Sequence, residues 1–300
     1  MITRVTNLTS MQAAQRNLQS GATKMAKLQD QASSQRAINR PSDDPAGTVE
    51  SMRIRAAQRS NDQYARNIDD GNGWLTTIDS TLGRASDIMR RVRDLTVQGA
   101  NDGAMSPTAK EAIAIELVGL KEDLMVQANA KYAGRTVFAG NSTAGAVFDE
   151  SSTPPSYAFS GAGNGPVNRR IGADTTVQVD ADGGAVFGIG NNSVFKLIDD
   201  IVTNLRTGAA NVGTQLDDID AHMATMVSER AAVGVRQSQV ERAEGANLEK
   251  SGALEAQRAG VEDIDLGQVI LSLKLQEVAY QSTLAVTARV LQPTLMDFLR

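Results

Sequence analysis

The stretch Asp263-Ile264-Asp265-Leu266-Gly267-Gln268-Val269-Ile270-Leu271-Ser272-Leu273-Lys274-Leu275-Gln276-Glu277-Val278-Ala279-Tyr280-Gln281-Ser282-Thr283-Leu284-Ala285-Val286-Thr287-Ala288-Arg289-Val290-Leu291 decides the fold. It holds no proline and a single glycine, Gly267, so one unbroken helix of about 29 residues, roughly 44 Å long, is expected. Leu266, Ile270, Leu273, Tyr280, Leu284 and Leu291 recur at spacings of four and three, with Glu277 and Thr287 in the gaps. That is a heptad seam. A second seam, nearly opposite on the cylinder, carries Ile264, Leu271, Leu275, Val278 and Ala285. A surface helix needs one apolar stripe, and a helix with two must lie between partners.

The matching seam lies at the other end of the chain. From about Thr6 to Ser33, Leu8, Met11, Leu18, Ala22, Met25 and Ala32 share a register with Gln15 and Gln29. This seam is too thin for a helix stable alone. Residues 1–40 carry six Lys/Arg and one Asp, whereas residues 255–300 carry four Lys/Arg and six Asp/Glu. Opposite charge and matched heptads predict that the two ends pair, frayed in the monomer and ordered on assembly.

Between these ends, prolines and glycines mark the boundaries. In Asn39-Arg40-Pro41-Ser42-Asp43-Asp44-Pro45-Ala46-Gly47, Pro41 stops the preceding helix. Asp44 before Pro45 fits an N-cap with proline at the first helical position. Arg40, Pro41, Asp43, Asp44, Pro45 and Gly47 are read as this structural turn, its paired carboxylates serving the cap rather than catalysis. A helix from about Pro45 to Ala100 follows, its seam running Tyr64, Ile68, Leu75, Ile78, Leu82, Ala85, Met89 and Val92. Gly71-Asn72-Gly73 is a possible kink, and Asn101-Asp102-Gly103 ends the helix. Ser106-Pro107 opens another with the stripe Ile113, Leu117, Leu120 and Leu124.

Residues 134–190 hold eleven of the 26 glycines and short apolar runs: Thr136–Phe138, Tyr157–Phe159, Thr175–Val179 and Ala185–Phe187. A small β-rich insertion is predicted there. Helical periodicity resumes at the cap Ser193, with Val194, Leu197, Ile198, Ile201 and Leu205 closed by Gly208. A longer helix carries Leu216, Ile219, Met223, Met226, Val233 and Val240, fading into Gly245 and Gly252, and the final helix begins near Val261.

The expected fold is mainly α: a nested long-helix bundle with paired N- and C-terminal coiled-coil helices and a small β-rich insertion. Its parts are a terminal coiled-coil core of residues 1–40 and 261–300, a helical bundle of 41–133 and 191–260, and the insertion 134–190.

Composition narrows the chemistry. There are no cysteines and one histidine, so thiolate sites, His-based metal sites and the usual nucleophile–base pairs cannot form. His222 is expected at a surface or flank. Asp199-Asp200 and Asp217-Asp218 are helix neighbours whose side chains diverge by about 100°. Gly161-Ala162-Gly163-Asn164-Gly165-Pro166 lacks the Gly-Lys-Ser/Thr ending of a phosphate loop. No enzyme and no cofactor are expected. A net charge of -5 without a basic run argues against nucleic acid. Lys274, Glu277 and Arg289 interrupt the most apolar helix, which argues against a membrane span. The opening residues show no cleaved secretory signal.

Several blocks, in order, resemble the flagellin superfamily. They are Met11-Gln12-Ala13-Ala14-Gln15-Arg16-Asn17-Leu18, Ile38 through Gly47, Asp94-Leu95-Thr96-Val97-Gln98-Gly99-Ala100-Asn101, Asn129 through Gly140, Arg236-Gln237-Ser238-Gln239-Val240-Glu241 and Leu295-Met296-Asp297-Phe298-Leu299-Arg300. They span the chain apart from the insertion. The Arg40–Pro45 and Lys131–Gly140 blocks and the Asp297–Arg300 ending look more like the superfamily's hook–filament junction branch, hook-associated protein 3. Filament flagellins usually end in a Leu-Leu-Arg-like tail.

The resemblance implies a structural subunit of the extracellular flagellum, exported uncleaved and unfolded through the flagellar secretion channel. Its terminal helices would form a tube's inner core. Implied partners are further copies of itself, the hook-side junction protein, flagellin, and an export chaperone with the export apparatus. Residues expected at assembly interfaces are Leu8, Met11, Leu18, Met25, Leu271, Leu273, Leu275, Val278, Leu284, Leu291, Leu295 and Phe298. Two alternatives stand beside this reading: filament flagellin itself, and a cytosolic coiled-coil scaffold.

Overall fold

A computed structural model describes residues 2–101, 105–143, 145–150, 157–161, 163, 165–208 and 210–290, without the side chains of 2–8, 10 and 290. Seven α-helices are seen among the described residues: α1 (Ile2–Ser34), α2 (Pro45–Gly99), α3 (Pro107–Ala128), α4 (Gly183–Phe187), α5 (Val194–Thr207), α6 (Leu216–Glu262) and α7 (Leu266–Val290). Six short strands lie between α3 and α4: β1 (Lys131–Tyr132), β2 (Arg135–Thr136), β3 (Phe148–Glu150), β4 (Tyr157–Phe159), β5 (Asn168–Arg170) and β6 (Thr176–Gln178). The strands form three separate antiparallel pairs, β1–β2, β3–β4 and β5–β6. The mainly α fold with a small β-containing insertion is therefore present.

By internal contact the chain divides into two compact units, Met1–Ser60 with Lys250–Arg300, and Asn61–Glu249. Within the second unit, α2 and α6 run antiparallel. Asn61 and Asn247 exchange amide-to-carbonyl hydrogen bonds of 3.0 and 2.9 Å, and further along Arg230 bonds Asp79 and Arg93 bonds Asp220, each at 2.7 Å. Ile68, Leu75, Ile78, Leu82, Ala85, Met89 and Val92 are fully buried in a core with Ile219, Met226, Val233 and Val240 of α6. The heptad seam read from α2 is this core except at Tyr64, which is half-buried outside it.

Gly71-Asn72-Gly73 does not break α2. A Cβ on Gly73 would lie 2.2 Å from the Tyr132 hydroxyl, and one on Gly71 3.2 Å from Val179. These glycines let β1 and the residues after β6 press against the helix. Gly245 and Gly252 do not end α6 either, which continues to Glu262. A glycine there costs about 1 kcal/mol against alanine, too little to break a paired helix of 47 residues.

The insertion corrects one element. Ala185-Val186-Phe187 belongs to α4, because Asp182 accepts a hydrogen bond from the Gly184 amide and caps the turn. Strands β1, β3 and β5 fall outside the runs singled out in the sequence. In the β1–β2 hairpin, Ala133 and Gly134 adopt φ of 49° and 81°, the left-handed pair of a two-residue turn. Elsewhere the caps Ser106 and Ser193 stand where expected, and Gly208 closes α5 at φ 66°.

The few aromatic rings are concentrated rather than spread. Phe148 meets Phe159, Phe187 and Phe195 at centroid distances of 5.1 to 5.7 Å, and Phe187 meets Phe138 edge-on at 5.3 Å. Five of the chain's six phenylalanines thus make one cluster that packs the insertion onto α5.

Candidate assembly interface

In the first unit, α1 and α7 form an antiparallel hairpin. Arg36 bridges Asp263 at one end, and farther along the Gln276 amide donates to the Gly21 carbonyl at 3.3 Å. Gly21 is a close approach: its Cβ would sit 3.2 Å from the Tyr280 ring. Val269, Leu273, Gln276, Tyr280, Thr283 and Thr287 are half-buried along one side of α7, as are Leu18, Gly21, Met25, Leu28 and Ala32 on α1.

The anchor of this hairpin is a charge cluster. Glu262, the last residue of α6, accepts two hydrogen bonds of 2.7 Å from the Arg55 guanidinium and another from the Ser51 hydroxyl. The Arg55 bonds, reinforced by Ser51 and outweighing the effect of burial, hold its carboxyl down to a pKa of about 2. Its backbone carbonyl accepts from the Ala37 amide at 2.7 Å. The connectors α1–α2 and α6–α7 are therefore pinned at one point.

The turn at 40–47 feeds that point. The Asp43 amide donates to the Arg40 carbonyl across Pro41, and the Asp43 carboxylate accepts from the Arg40 amide at 3.1 Å. Asp44 accepts from the Gly47 amide at 2.9 Å, with Pro45 opening α2. A Cβ on Gly47 would strike Asp44 at 2.4 Å and Ile38 at 2.7 Å. Pro41 does not itself stop α1, which ends at Ser34 with Gln35 at φ 56°.

On the opposite side of α7, Leu271, Leu275 and Val278 are 61%, 63% and 62% exposed, and Ala285 is exposed beside them. The first seam is rotated relative to its sequence reading. Leu273 and Tyr280 lie in it, whereas Leu266, Ile270 and Leu284 are exposed. The cause is register: the α1-facing line runs through Val269, Gln276 and Thr283 as well as Leu273. On α1, Leu18 and Met25 are half-buried and Met11 is exposed. Leu8 lies on α1, its side chain outside the description, and Leu291, Leu295 and Phe298 lie outside the described residues. Sequence reasoning passed over Val286, which is also exposed.

Among the described residues no group of three His, Asp or Glu side chains could hold a metal ion, and no described helix is long and apolar enough to cross a membrane. His222 is half-buried, and burial lowers its pKa. Among the described residues, a buried polar cluster ties the insertion to its neighbouring helices. Lys121 of α3, itself buried, donates to Glu150, Tyr157 and Asp199 at 2.9 to 3.1 Å, and the Tyr157 hydroxyl donates to Asp199. Burial opposes the ammonium, but these three acceptors outweigh it and raise its pKa. All three of its donors are used, so the group fastens the β3–β4 hairpin to α3 and α5.

Among the described residues, the α1–α7 hairpin and its exposed apolar stripe Leu271, Leu275 and Val278 are the features that stand out. Residues 5–143 match the family model of the bacterial flagellin N-terminal helical region. Over most of its length the chain is similar to flagellar hook-associated protein 3 of Salmonella typhimurium, 23% identical over 282 residues that cover 86% of this chain and 87% of that protein. It is also similar to flagellin of Bacillus subtilis, 26% identical over 271 residues, 85% of each. A solved flagellar hook-associated protein 3 from Legionella pneumophila shares the fold, with a TM-score of 0.60 at 15% identity over 68% of this chain and 96% of that one.

Proposed function

We propose that this chain is a structural subunit of the bacterial flagellum, joining hook to filament by helical self-assembly through its terminal hairpin. The observation that carries the reading is the outer stripe Leu271, Leu275 and Val278, exposed in a chain similar over most of its length to a hook-associated protein. Each of the two leucines gains about 1.5–3 kcal/mol on burial. One such contact roughly matches the cost of associating two bodies, and repeated contacts exceed it.

The assembly interface comprises Leu8, Met11, Leu18, Met25, Leu271, Leu273, Leu275, Val278, Leu284, Leu291, Leu295 and Phe298, and the turn at 40–47 sets the start of α2. The terminal coiled-coil core, the helical bundle and the insertion act as the three working parts. The chain is exported uncleaved through the flagellar channel with a chaperone, and meets the hook-side junction protein on one side and flagellin on the other. It does no catalysis.

A filament flagellin is the second reading, favoured by the similarity to the Bacillus protein over an equal span. Deletion separates the two. Loss of a junction subunit leaves hooks intact and sheds flagellin into the medium, and antibody labels a short zone next to the hook. Labelling along the whole filament would make the chain a flagellin. Recovery only from cytoplasm would sink both.

A further inference from the structure

A cavity of about 380 Å³ opens inside the second unit, between the turn that leads into α5 and the start of α6. Its volume falls at the lower end of the range for small-molecule sites, about 300–1,000 Å³. Asn191 and Asn192 come to it from the turn, Leu197 from α5, and Asp218, Ala221 and His222 from α6, with Gln215 just before that helix. The turn is held in shape. Gly188 adopts φ 74°, and a Cβ there would overlap the Asn192 carbonyl, so only glycine lets the chain close this tightly. The Asn192 amide donates to the Ile189 carbonyl at 3.2 Å, and Ser193 caps α5 by accepting from the Lys196 amide at 3.2 Å. The cavity is thus framed before any ligand arrives.

The polar groups around it are uncommitted. The side chains of Asn191, Asn192, Asp218 and His222 hydrogen-bond to no described residue, and Gln215 uses only its oxygen, which accepts from Asn204. Burial lowers the His222 pKa, so at about pH 7 the imidazole is neutral, donating from one nitrogen and accepting at the other. Carboxamides are two-sided in the same way. Leu197 and Ala221 add a small apolar wall. We infer that the cavity binds one pyranose ring of a neutral sugar, its C–H surface against Leu197 and Ala221 and its hydroxyls exchanging hydrogen bonds with the amides and the imidazole.

Other ligand classes use this lining less fully. An anion meets Asp218 with no Lys or Arg in the described lining, and the nearby Lys196 is already paired with Asp200. An ammonium gains from Asp218 but nothing from the amide N–H groups of Asn191, Asn192 and Gln215. A divalent cation lacks a set of three His, Asp or Glu ligands among the described residues. A sugar hydroxyl both donates and accepts, so it is matched by every polar group named here, Asp218 included.

His222 is the chain's one histidine, so its imidazole gives a single pair of carbon-bound proton NMR signals that report on the cavity. At about pH 7.5, where the ring is neutral, methyl glycosides of glucose, galactose and mannose are added in turn to the full chain. At least one is expected to move these signals saturably, with half-saturation at about 1–10 mM for a ligand of roughly 13 heavy atoms. Asn192→Ala and Asp218→Ala, both at exposed positions, are each expected to raise that value at least about five-fold, as for a lost hydrogen bond, with the urea midpoint unchanged. No saturable movement with any glycoside up to about 100 mM would overturn the assignment. So would a response in both variants equal to that of the parent chain, which would put the sugar elsewhere. Signals moved by cadaverine and by none of the glycosides would make the cavity a cation site and overturn it too.

Discussion

Phe148 in the second unit is fully buried against three other rings, whereas Leu271 on α7 is largely exposed to solvent. The two side chains stand for two ways of using apolar residues. The second unit closes its own core, and residues from Ile68 to Val240 reach complete burial there. Among the described side chains of α1 and α7, none is fully buried. Under the proposed assembly, the hairpin is a partial core that another molecule completes. If folding rests on the buried core and assembly on the exposed stripe, substitutions should separate the two.

The largest expected effect lies on the closed side. Phe148→Ala should cost about 3–5 kcal/mol, a buried aromatic removed from a packed cluster, measured as a shift in urea midpoint. A cost below about 1 kcal/mol would show that the ring cluster is looser than the structure indicates. Next comes Lys121→Met, at about 3 kcal/mol, because Asp199 and the Tyr157 hydroxyl lose the ammonium between them. Restoring stability by adding Asp199→Asn to that variant would confirm that the stranded carboxylate, rather than lost packing, is the cause.

How much of this contrast was legible beforehand depends on the range of the interaction. Caps act within three or four residues, and Ser106, Ser193, Asp44 and Gly208 could be read directly. Heptads also announce a helix and its buried face, as α2 shows. The rotated seam of α7 shows the limit: polar Gln276 and Thr283 occupy the α1-facing line because the contact there is thin, and an apolar count overlooks them. Lys121, Glu150, Tyr157 and Asp199 come from four separate elements, and no local pattern links them. The helix at 183–187 was missed because a three-residue apolar run has no periodicity, and the deciding group is the Asp182 carboxylate just before it.

The anchor of the hairpin can be tested with acid. The Glu262 carboxyl, held at about 2 by Arg55, would titrate near its ordinary 4.5 once unfolded. A depressed folded value means that its contribution is complete above pH 4.5 and drains away as pH falls toward 2. Arg55 is partly solvated, so the loss should be about 1–2 kcal/mol. Glu262→Gln should flatten that part of the stability–pH curve. It should also speed amide exchange in Ala37, whose hydrogen bond ends on the Glu262 carbonyl. Unchanged acid sensitivity in the variant would assign the anchor to other groups. A smaller change is expected at the turn, where Asp44→Ala removes the cap of α2 and costs about 1 kcal/mol.

The smallest stability change should accompany the largest loss of function. Leu271→Asp alters an exposed position, so monomer stability should move by no more than about 0.5 kcal/mol. In the assembled state the same carboxylate would be buried without a partner, and incorporation into the flagellum should fail while secretion continues. Leu273→Asp faces α1 and should differ in kind. It places a charge in the hairpin seam, so the monomer should show faster exchange across α1 as well as failed incorporation. Comparing the two by hydrogen exchange on the secreted monomer separates an unfinished surface from a weakened seam. If Leu271→Asp destabilised the monomer as much as Leu273→Asp, both sides of α7 would serve the single chain. The outer stripe would then not be held in reserve for a neighbour.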